Sequence, residues 1–125
     1  MKITAQTTYG NTKTNLDDWQ KTANPWTVIL KNGKKRLTVP FFTGQGLTSE
    51  PSADSVLWCI VSDANLGEYD FNWFCDTLGY DSDSRTAEKI HRECQTWRKK
   101  LKRFLGDSFD QVMGMEEEDI NLICE

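Results

Sequence analysis

The segment GYDSDSRTAEKIHRECQTWRKKLKRFLG, residues 79–106, decides the fold because its apolar residues recur at helical spacing. They are three or four positions apart, which places them on one stripe of an α-helix. Asp83 or Ser84 is expected to cap the N-terminus of this helix, and Gly106 to close its C-terminus. The apolar stripe, which we expect to be buried, consists of Ala87, Ile90, Cys94, Trp97, Leu101 and Phe104.

The rest of this helix is rich in cations. Residues 85–103 contain eight Lys or Arg and two Glu. Such rows of cations are found on phosphate-binding helices, and also on solvated or internally paired faces that bind nothing. The candidates for contact with a partner or with nucleic acid form a basic face: Arg85, Arg92, Arg98, Lys99, Lys100, Lys102 and Arg103.

Charge is segregated along the whole chain. The net charge is +5 in residues 1–36, −8 in 37–84, +6 in 85–103 and −7 in 107–125, within a total of −4. The second block contains no Lys or Arg. Either the blocks neutralise one another inside the fold, or one of them faces a charged partner. The acidic candidates for partner binding are Asp70, Asp76, Asp81 and Asp83.

A β-hairpin is predicted nearer the N-terminus. Residues 26–31, WTVILK, are β-branched or aromatic at most positions, and Asn32-Gly33 after them is a strong hairpin signal. Residues 36–42 return as the second strand, with Pro40 at its end or at the edge of the sheet. A weak alternation in residues 2–9 indicates a third strand. The residues expected to share a face are Trp26, Val28 and Leu30 on one strand, and Leu37, Val39 and Phe41 on its partner.

Two helices are predicted between the hairpin and the long helix. The first starts near Pro51 and runs to about Ala64. The second, residues 71–78, begins after a cap at Asp70 and ends at Gly79. The inward residues are Ala53, Val56, Leu57, Ile60, Val61 and Ala64 in the first helix, and Phe71, Phe74, Cys75 and Leu78 in the second.

Together these elements predict an α+β fold, in which an antiparallel hairpin of two or three strands packs on three to four helices, one of them long and basic. The 125 residues are expected to form one small domain. Its parts are a mostly polar extension (1–25), a core (26–106) and an acidic C-terminal segment (107–125), in which Asp107 caps a short helix. No apolar run is long enough to span a membrane and no signal peptide is evident, so we expect a cytoplasmic protein.

The sequence predicts no enzyme, metal site or cofactor. His91 precedes Cys94 by three residues, but a Cys–His nucleophile needs an exposed thiol and Cys94 lies in the apolar stripe. The four cysteines have no CxxC spacing and are expected to be reduced and mostly buried. Asp81-Ser82-Asp83 lacks the further ligands of a calcium loop, and the glycine loop at 43–46 lacks the third Gly or the Lys of a phosphate loop.

The motif GYDxDSRxAE at residues 79–88 is the most specific part of a longer pattern that spans about residues 26–106. This pattern resembles a family of small phage and prophage proteins without assigned activity. Residues 1–25 and the tail after Gly106 fall outside it. The other residues that carry the resemblance are Pro40-Phe41-Phe42-x-Gly44, Val56-Leu57, Ser62-Asp63-Ala64, Phe74-Cys75, Cys94 and Leu101 to Gly106.

The resemblance implies a phage accessory protein that acts on host machinery in the host cytoplasm. Inhibitors of CRISPR or restriction systems are one class of such proteins. We therefore expect a non-enzymatic protein that binds and modulates a host protein, its carboxylates occupying a nucleic-acid groove on the target. The alternative is a nucleic-acid-binding module that uses the basic face of the helix 85–105.

Overall fold

The structure, a computed structural model, describes residues 1–9, 26–42 (the backbone alone at 40–42) and 50–125. The glycine loop predicted at 43–46 lies outside these residues. The described part has an α+β fold, as predicted. Its elements in chain order are β1 Ile3–Tyr9, β2 Trp26–Asn32, β3 Lys35–Phe42, α1 Ala53–Leu66, α2 Phe71–Leu78, α3 Arg85–Leu105, a 3₁₀ turn Gly106–Ser108, α4 Phe109–Met113 and α5 Glu117–Ile123.

The chain divides into two compact units. One unit comprises Met1–Cys59 together with Met115–Glu125, and the other comprises Ile60–Gly114. These limits differ from the extension, core and acidic segment expected from the sequence. The first unit joins the two ends of the chain, which lie far apart in sequence.

The first unit contains a three-stranded antiparallel sheet in the order β1-β2-β3. The predicted face of the hairpin is confirmed at its centre, where Val28 pairs with Val39 and Leu30 with Leu37, and all four side chains are buried. Cross-strand apolar pairs of this kind fix the register, because a slip by one residue would turn them to the opposite face.

The hairpin turn lies one residue later than predicted. Asn32 pairs with Lys35 as the last residue of β2, so the two-residue turn is Gly33-Lys34. Gly33 has φ +61°, a conformation that glycine adopts without steric cost. Glycine therefore fits the first position of this two-residue turn.

Pro40 lies within β3, at an edge of the sheet. The register between β2 and β3 shifts between Val28 and Trp26, so that β3 holds one extra residue there. A bulge in an edge strand tolerates proline, which has no N–H to donate to the ladder.

The third strand is present, and the C-terminus adjoins it. Ile3 of β1 forms a parallel bridge with Cys124, and the backbone N–H of Glu125 donates to the Ile3 carbonyl over 2.9 Å. Ile3 and Ile120 are both fully buried. Part of the predicted extension and part of the predicted acidic segment thus belong to one folded unit.

The helix α1 has the apolar face that the sequence predicts. All six of the predicted inward residues between Ala53 and Ala64 are buried. The helix continues for two residues beyond the predicted end at Ala64, to Leu66, and Gly67 follows.

The second unit holds α2, α3 and α4. Its buried cluster includes Phe74, Cys75, Ala87 and Cys94, with Leu66, Phe71 and Ile90 packed against them. Asp107 does not cap the helix that follows α3: it lies in the 3₁₀ turn, and α4 has no side-chain cap. The chain continues from α3 with tighter i→i+3 turns, which leaves Asp107 no free helix end to cap.

None of the helices in the described ranges is both long and apolar enough to cross a membrane.

Candidate functional site

The long helix α3 has the ends that the sequence predicts. The Ser84 hydroxyl accepts a hydrogen bond from the backbone N–H of Ala87 over 3.2 Å, and Gly106 is the C-cap with φ +57°. Of the two N-cap candidates, Ser84 rather than Asp83 therefore caps the helix. This cap sets the first residue of the 21-residue helix.

The buried stripe of α3 is centred slightly to one side of the predicted stripe. Leu101 is fully buried, as expected, but Ile90 and Trp97 are only half-buried. His91 and Leu105, outside the predicted stripe, are buried instead. The most buried row therefore runs through positions 87, 91, 94, 98, 101 and 105, which places Arg98 within it.

The basic face is largely exposed. Arg98 is half-buried, and the other six predicted residues, from Arg85 to Arg103, are exposed. Among the described residues, two of these cations form ion pairs: Arg92 with Glu88 of the same helix at 3.3 Å, and Arg98 with Glu68 at 3.9 Å. Internal pairing thus does not neutralise the basic block within the described part of the chain.

The predicted acidic residues are also exposed, and two of them organise the backbone. Asp70 caps α2 by accepting from the backbone N–H of Trp73 over 2.8 Å. Asp81 accepts from the backbone N–H of Asp83 over 3.1 Å in the turn before α3. Asp76 is exposed on α2. None of the four has a Lys or Arg within ion-pair distance in the described ranges.

Exposed aromatic side chains lie among these carboxylates. Tyr69 and Trp73 stack with ring centroids 3.7 Å apart, and are 42% and 39% exposed. Tyr80 is 38% exposed and stacks on the buried Phe74 at 5.9 Å. We call this region the acidic aromatic surface; it consists of Glu68, Tyr69, Asp70, Trp73, Asp76, Leu78, Tyr80, Asp81 and Asp83.

Leu78 corrects the prediction for α2. It was expected to face inward, but it is 43% exposed. Its position is the last of the helix, next to Gly79 in the left-handed conformation (φ +76°), where the chain turns away. The eight-residue helix buries Phe74 and Cys75 and leaves the side chain at its C-terminus in solvent.

The aromatic surface is only partly predictable from the sequence. The exposure of Tyr69, Leu78 and Tyr80 depends on which side of a short helix and its turns faces solvent. A run of aromatic residues without clear periodicity does not specify this. The signal that was available is the density of carboxylates around them.

His91 and Cys94 do not form a nucleophilic pair. The Nε2–H of His91 donates to the Tyr69 carbonyl over 2.7 Å, and the ring packs 4.9 Å from Phe74. Burial, together with the carboxylates of Asp63 and Glu93, raises the pKa of the Cys94 thiol to about 11. A protonated, buried thiol is a poor nucleophile at neutral pH.

Two open clefts lie along α3. One has a volume of about 350 Å³ and is lined by Gly67, Gln95, Arg98, Lys99 and Lys102. The other, about 440 Å³, is lined by Phe71, Glu88, His91, Arg92 and Gln95. The first is the more cationic of the two, because three of its five lining residues carry positive charge and none carries negative charge.

A comparison of this chain with protein-family models, curated proteins and solved structures found no match.

Proposed function

We propose that this chain is a non-enzymatic phage accessory protein that binds a basic surface of a host protein through its acidic aromatic surface. The observation that carries the proposal is the stacked pair Tyr69–Trp73, which stays about 40% exposed. The four aspartates of the same surface have no Lys or Arg within ion-pair distance in the described residues. Trp and Tyr dominate the binding energy of protein interfaces, since they bury large areas at little entropic cost.

Charge complementarity defines the partner. Residues 37–84 contain no Lys or Arg, and the ion pair that the described residues form at this surface is that of Glu68 with Arg98. A partner rich in Arg and Lys would pair with the carboxylates and place cations over the aromatic rings. Nucleic-acid-binding grooves have this chemistry, which supports a CRISPR or restriction protein as the class of target.

The experiment is capture of host proteins on the immobilised chain, compared between variants. We expect one stoichiometric partner, bound by wild type and by Leu122→Ala, which removes an exposed apolar side chain elsewhere. Trp73→Ala should weaken this binding by about tenfold or more, and Asp76→Lys should weaken it further by charge reversal. A partner retained equally by Trp73→Ala and wild type, or no stoichiometric partner, would contradict the proposal.

Nucleic-acid binding through the basic face is the second candidate. It is favoured by the exposure of six of the seven cations, of which Arg92 forms an ion pair within the described residues. Residues 92, 99 and 103 span about 16 Å of the helix at ~1.5 Å per residue, enough to reach several phosphates.

This second candidate predicts fluorescence-anisotropy binding to oligonucleotides that weakens steeply with salt. The double variant Lys99→Gln/Arg103→Gln should reduce affinity and salt dependence. Lys34→Gln/Lys35→Gln, which removes two exposed cations from the hairpin, is the matched control. Absence of binding at low salt would exclude this candidate and leave the protein-binding proposal untouched.

A further inference from the structure

Arg98 is a partly buried cation whose side chain makes no hydrogen bond to the described residues. It lies in the most buried row of α3, and its side chain is 30% exposed. Its Nη1 is buried and has no hydrogen-bond partner in the described part of the chain. Its Nη2 lies 3.9 Å from Glu68 Oε1, too far for a hydrogen bond. Leaving the N–H donors of a buried Nη1 without an acceptor is unfavourable.

The position of Arg98 is nevertheless well determined. Its Cζ lies 5.2 Å from the centroid of the Phe109 ring, a cation–π contact that holds the guanidinium in place. The backbone of Gly67, which also lines the cleft, lies directly against α3 at Cys94 and Gln95. The side chain is therefore oriented before any ligand arrives, which lowers the entropic cost of binding.

Three neighbours on α3 extend this site. Gln95, Lys99 and Lys102 line the same cleft as Arg98, and each of them lies within four positions of Arg98 along the helix. Lys99 and Lys102 are exposed and form no ion pair with the described residues. Three positive charges and an amide thus converge on a cleft of about 350 Å³.

The backbone of the turn contributes no donors to this cleft. The N–H of Gly67 already donates to the carbonyls of Asp63 and Ala64, and the N–H of Glu68 donates to Asn65. A ligand would therefore be held by side chains. A phosphate group fits three cations better than a carboxylate does, because it carries up to two negative charges and three acceptor oxygens.

We propose that the cleft lined by Gly67, Gln95, Arg98, Lys99 and Lys102 binds a phosphate group, either as inorganic phosphate or as a small phosphate monoester. Glu68 opposes the ligand from the edge of the site: its carboxylate is 3.9 Å from Arg98, and its side chain is 57% exposed. The site is discrete, and it is independent of the acidic aromatic surface except for this carboxylate.

The test is an NMR titration of the full chain, following backbone amides at constant ionic strength. The probes are sodium phosphate, a nucleoside monophosphate and a short single-stranded oligonucleotide, each compared with chloride. We expect saturable shifts at Gly67, Gln95 and residues 98–102 with millimolar phosphate or nucleotide. Saturation by phosphate alone identifies the free anion as sufficient, and tighter binding of the nucleotide identifies a monoester as the preferred form.

Variants distinguish phosphate binding at a discrete site from general attraction of anions to a positively charged helix. Lys102→Gln should weaken phosphate binding about tenfold by removing one charged hydrogen bond. Lys89→Gln, the same charge change on the same helix outside the cleft, should leave it unchanged. Glu68→Gln should tighten it up to about fivefold, because the competing carboxylate is lost.

Two results would overturn the proposal. One is the absence of saturable shifts with both phosphate and nucleotide. The other is that only the oligonucleotide binds and that Lys89→Gln and Lys102→Gln reduce its affinity equally. That result would indicate a diffuse surface that attracts polyanions. Arg98→Lys provides a further check that keeps the charge but loses the fork of donors, and it should weaken binding while the chain remains folded.

Discussion

Gly67 lies in direct contact with the main chain of Cys94. A Cβ atom at Gly67 would lie 2.6 Å from the carbonyl carbon and oxygen of Cys94, and 2.7 Å from the backbone nitrogen of Gln95. Real Cβ atoms are not found that close to backbone atoms, so either the turn after α1 or the helix α3 would have to move. The absence of a side chain at this position therefore sets the distance between the turn and the helix.

This contact predicts that Gly67→Ala destabilises the protein by about 2 kcal/mol or more, since the clash is with backbone and not with a movable side chain. Urea unfolding followed by circular dichroism measures the change. Gly114→Ala is the matched control: its Cβ would lie 3.8 Å from the nearest atoms, and the change should stay within about 0.5 kcal/mol. Equal effects of the two substitutions would contradict the close contact.

Truncation of the long helix should separate its buried side chains from its half-buried ones. Leu101 is fully buried, so Leu101→Ala should lower the free energy of unfolding by about 3 kcal/mol through the cavity it leaves. Trp97→Ala should have a smaller effect per atom removed, because Trp97 is half-buried. Leu122→Ala, at a side chain 74% exposed, is the control and should be nearly neutral. A loss at Leu122 as large as at Leu101 would refute this assignment of the core.

The N-cap of α3 can be tested by comparing two neighbouring residues. Ser84→Ala removes the acceptor of the Ala87 N–H and should cost about 1 kcal/mol. Asp83→Ala removes a carboxylate near the helix N-terminus, where its favourable interaction with the dipole is worth about 0.3–1 kcal/mol and is screened by salt. In unfolding experiments at high salt, the effect of Ser84→Ala should persist and that of Asp83→Ala should shrink. The reverse pattern would assign the cap to Asp83.

Alkaline pH should destabilise the fold through two thiols. Burial raises the pKa of Cys94 and of Cys124 from the ordinary value of 9.0 to about 11. A pKa that is higher in the folded state means that the folded protein holds the proton more tightly. The resulting stabilisation is complete below pH 9 and is lost as the pH rises towards 11.

The measurement is the urea midpoint as a function of pH between about 8 and 11. Cys94→Ala should reduce the decline of the urea midpoint with rising pH. It should also lower stability at every pH, because it removes a buried side chain. Adding Cys124→Ala should flatten it further. If the urea midpoint of the double variant declined with pH as steeply as that of wild type, groups other than these thiols would cause the loss of stability at alkaline pH.

The hairpin shows which structural features can be predicted from local sequence. The pairing of Val28 with Val39 and of Leu30 with Leu37 follows from alternation and a glycine-containing turn. The shift of the turn by one residue does not follow, because Asn32 and Gly33 are both compatible with turn positions. The register that buries all four apolar side chains selects the turn, and this selection involves both strands at once.

The candidate surfaces likewise depend on contacts that local sequence does not predict. The sequence located the carboxylates and the cations, but the alignment of Arg98 with the buried row, its contact with Phe109 and the cleft beside Gly67 involve residues 11 to 31 positions away from it in the chain. Likewise the exposure of Leu78 depends on where the chain turns after α2. Pattern analysis treats each helix alone and has no information about which neighbour covers it.

The sequence by itself determined the extent of α3, the apolar face of α1, the glycine that ends α2 and the segregation of charge into four blocks. These features depend on interactions within a few residues: hydrogen bonds at helix ends, side-chain periodicity and the conformational freedom of glycine. Only the tertiary structure decided that Ile3 meets Cys124, that Gly67 meets Cys94, and which charged and aromatic groups remain in solvent. Such contacts depend on burial and close packing between segments distant in the chain, and no local pattern encodes the partner.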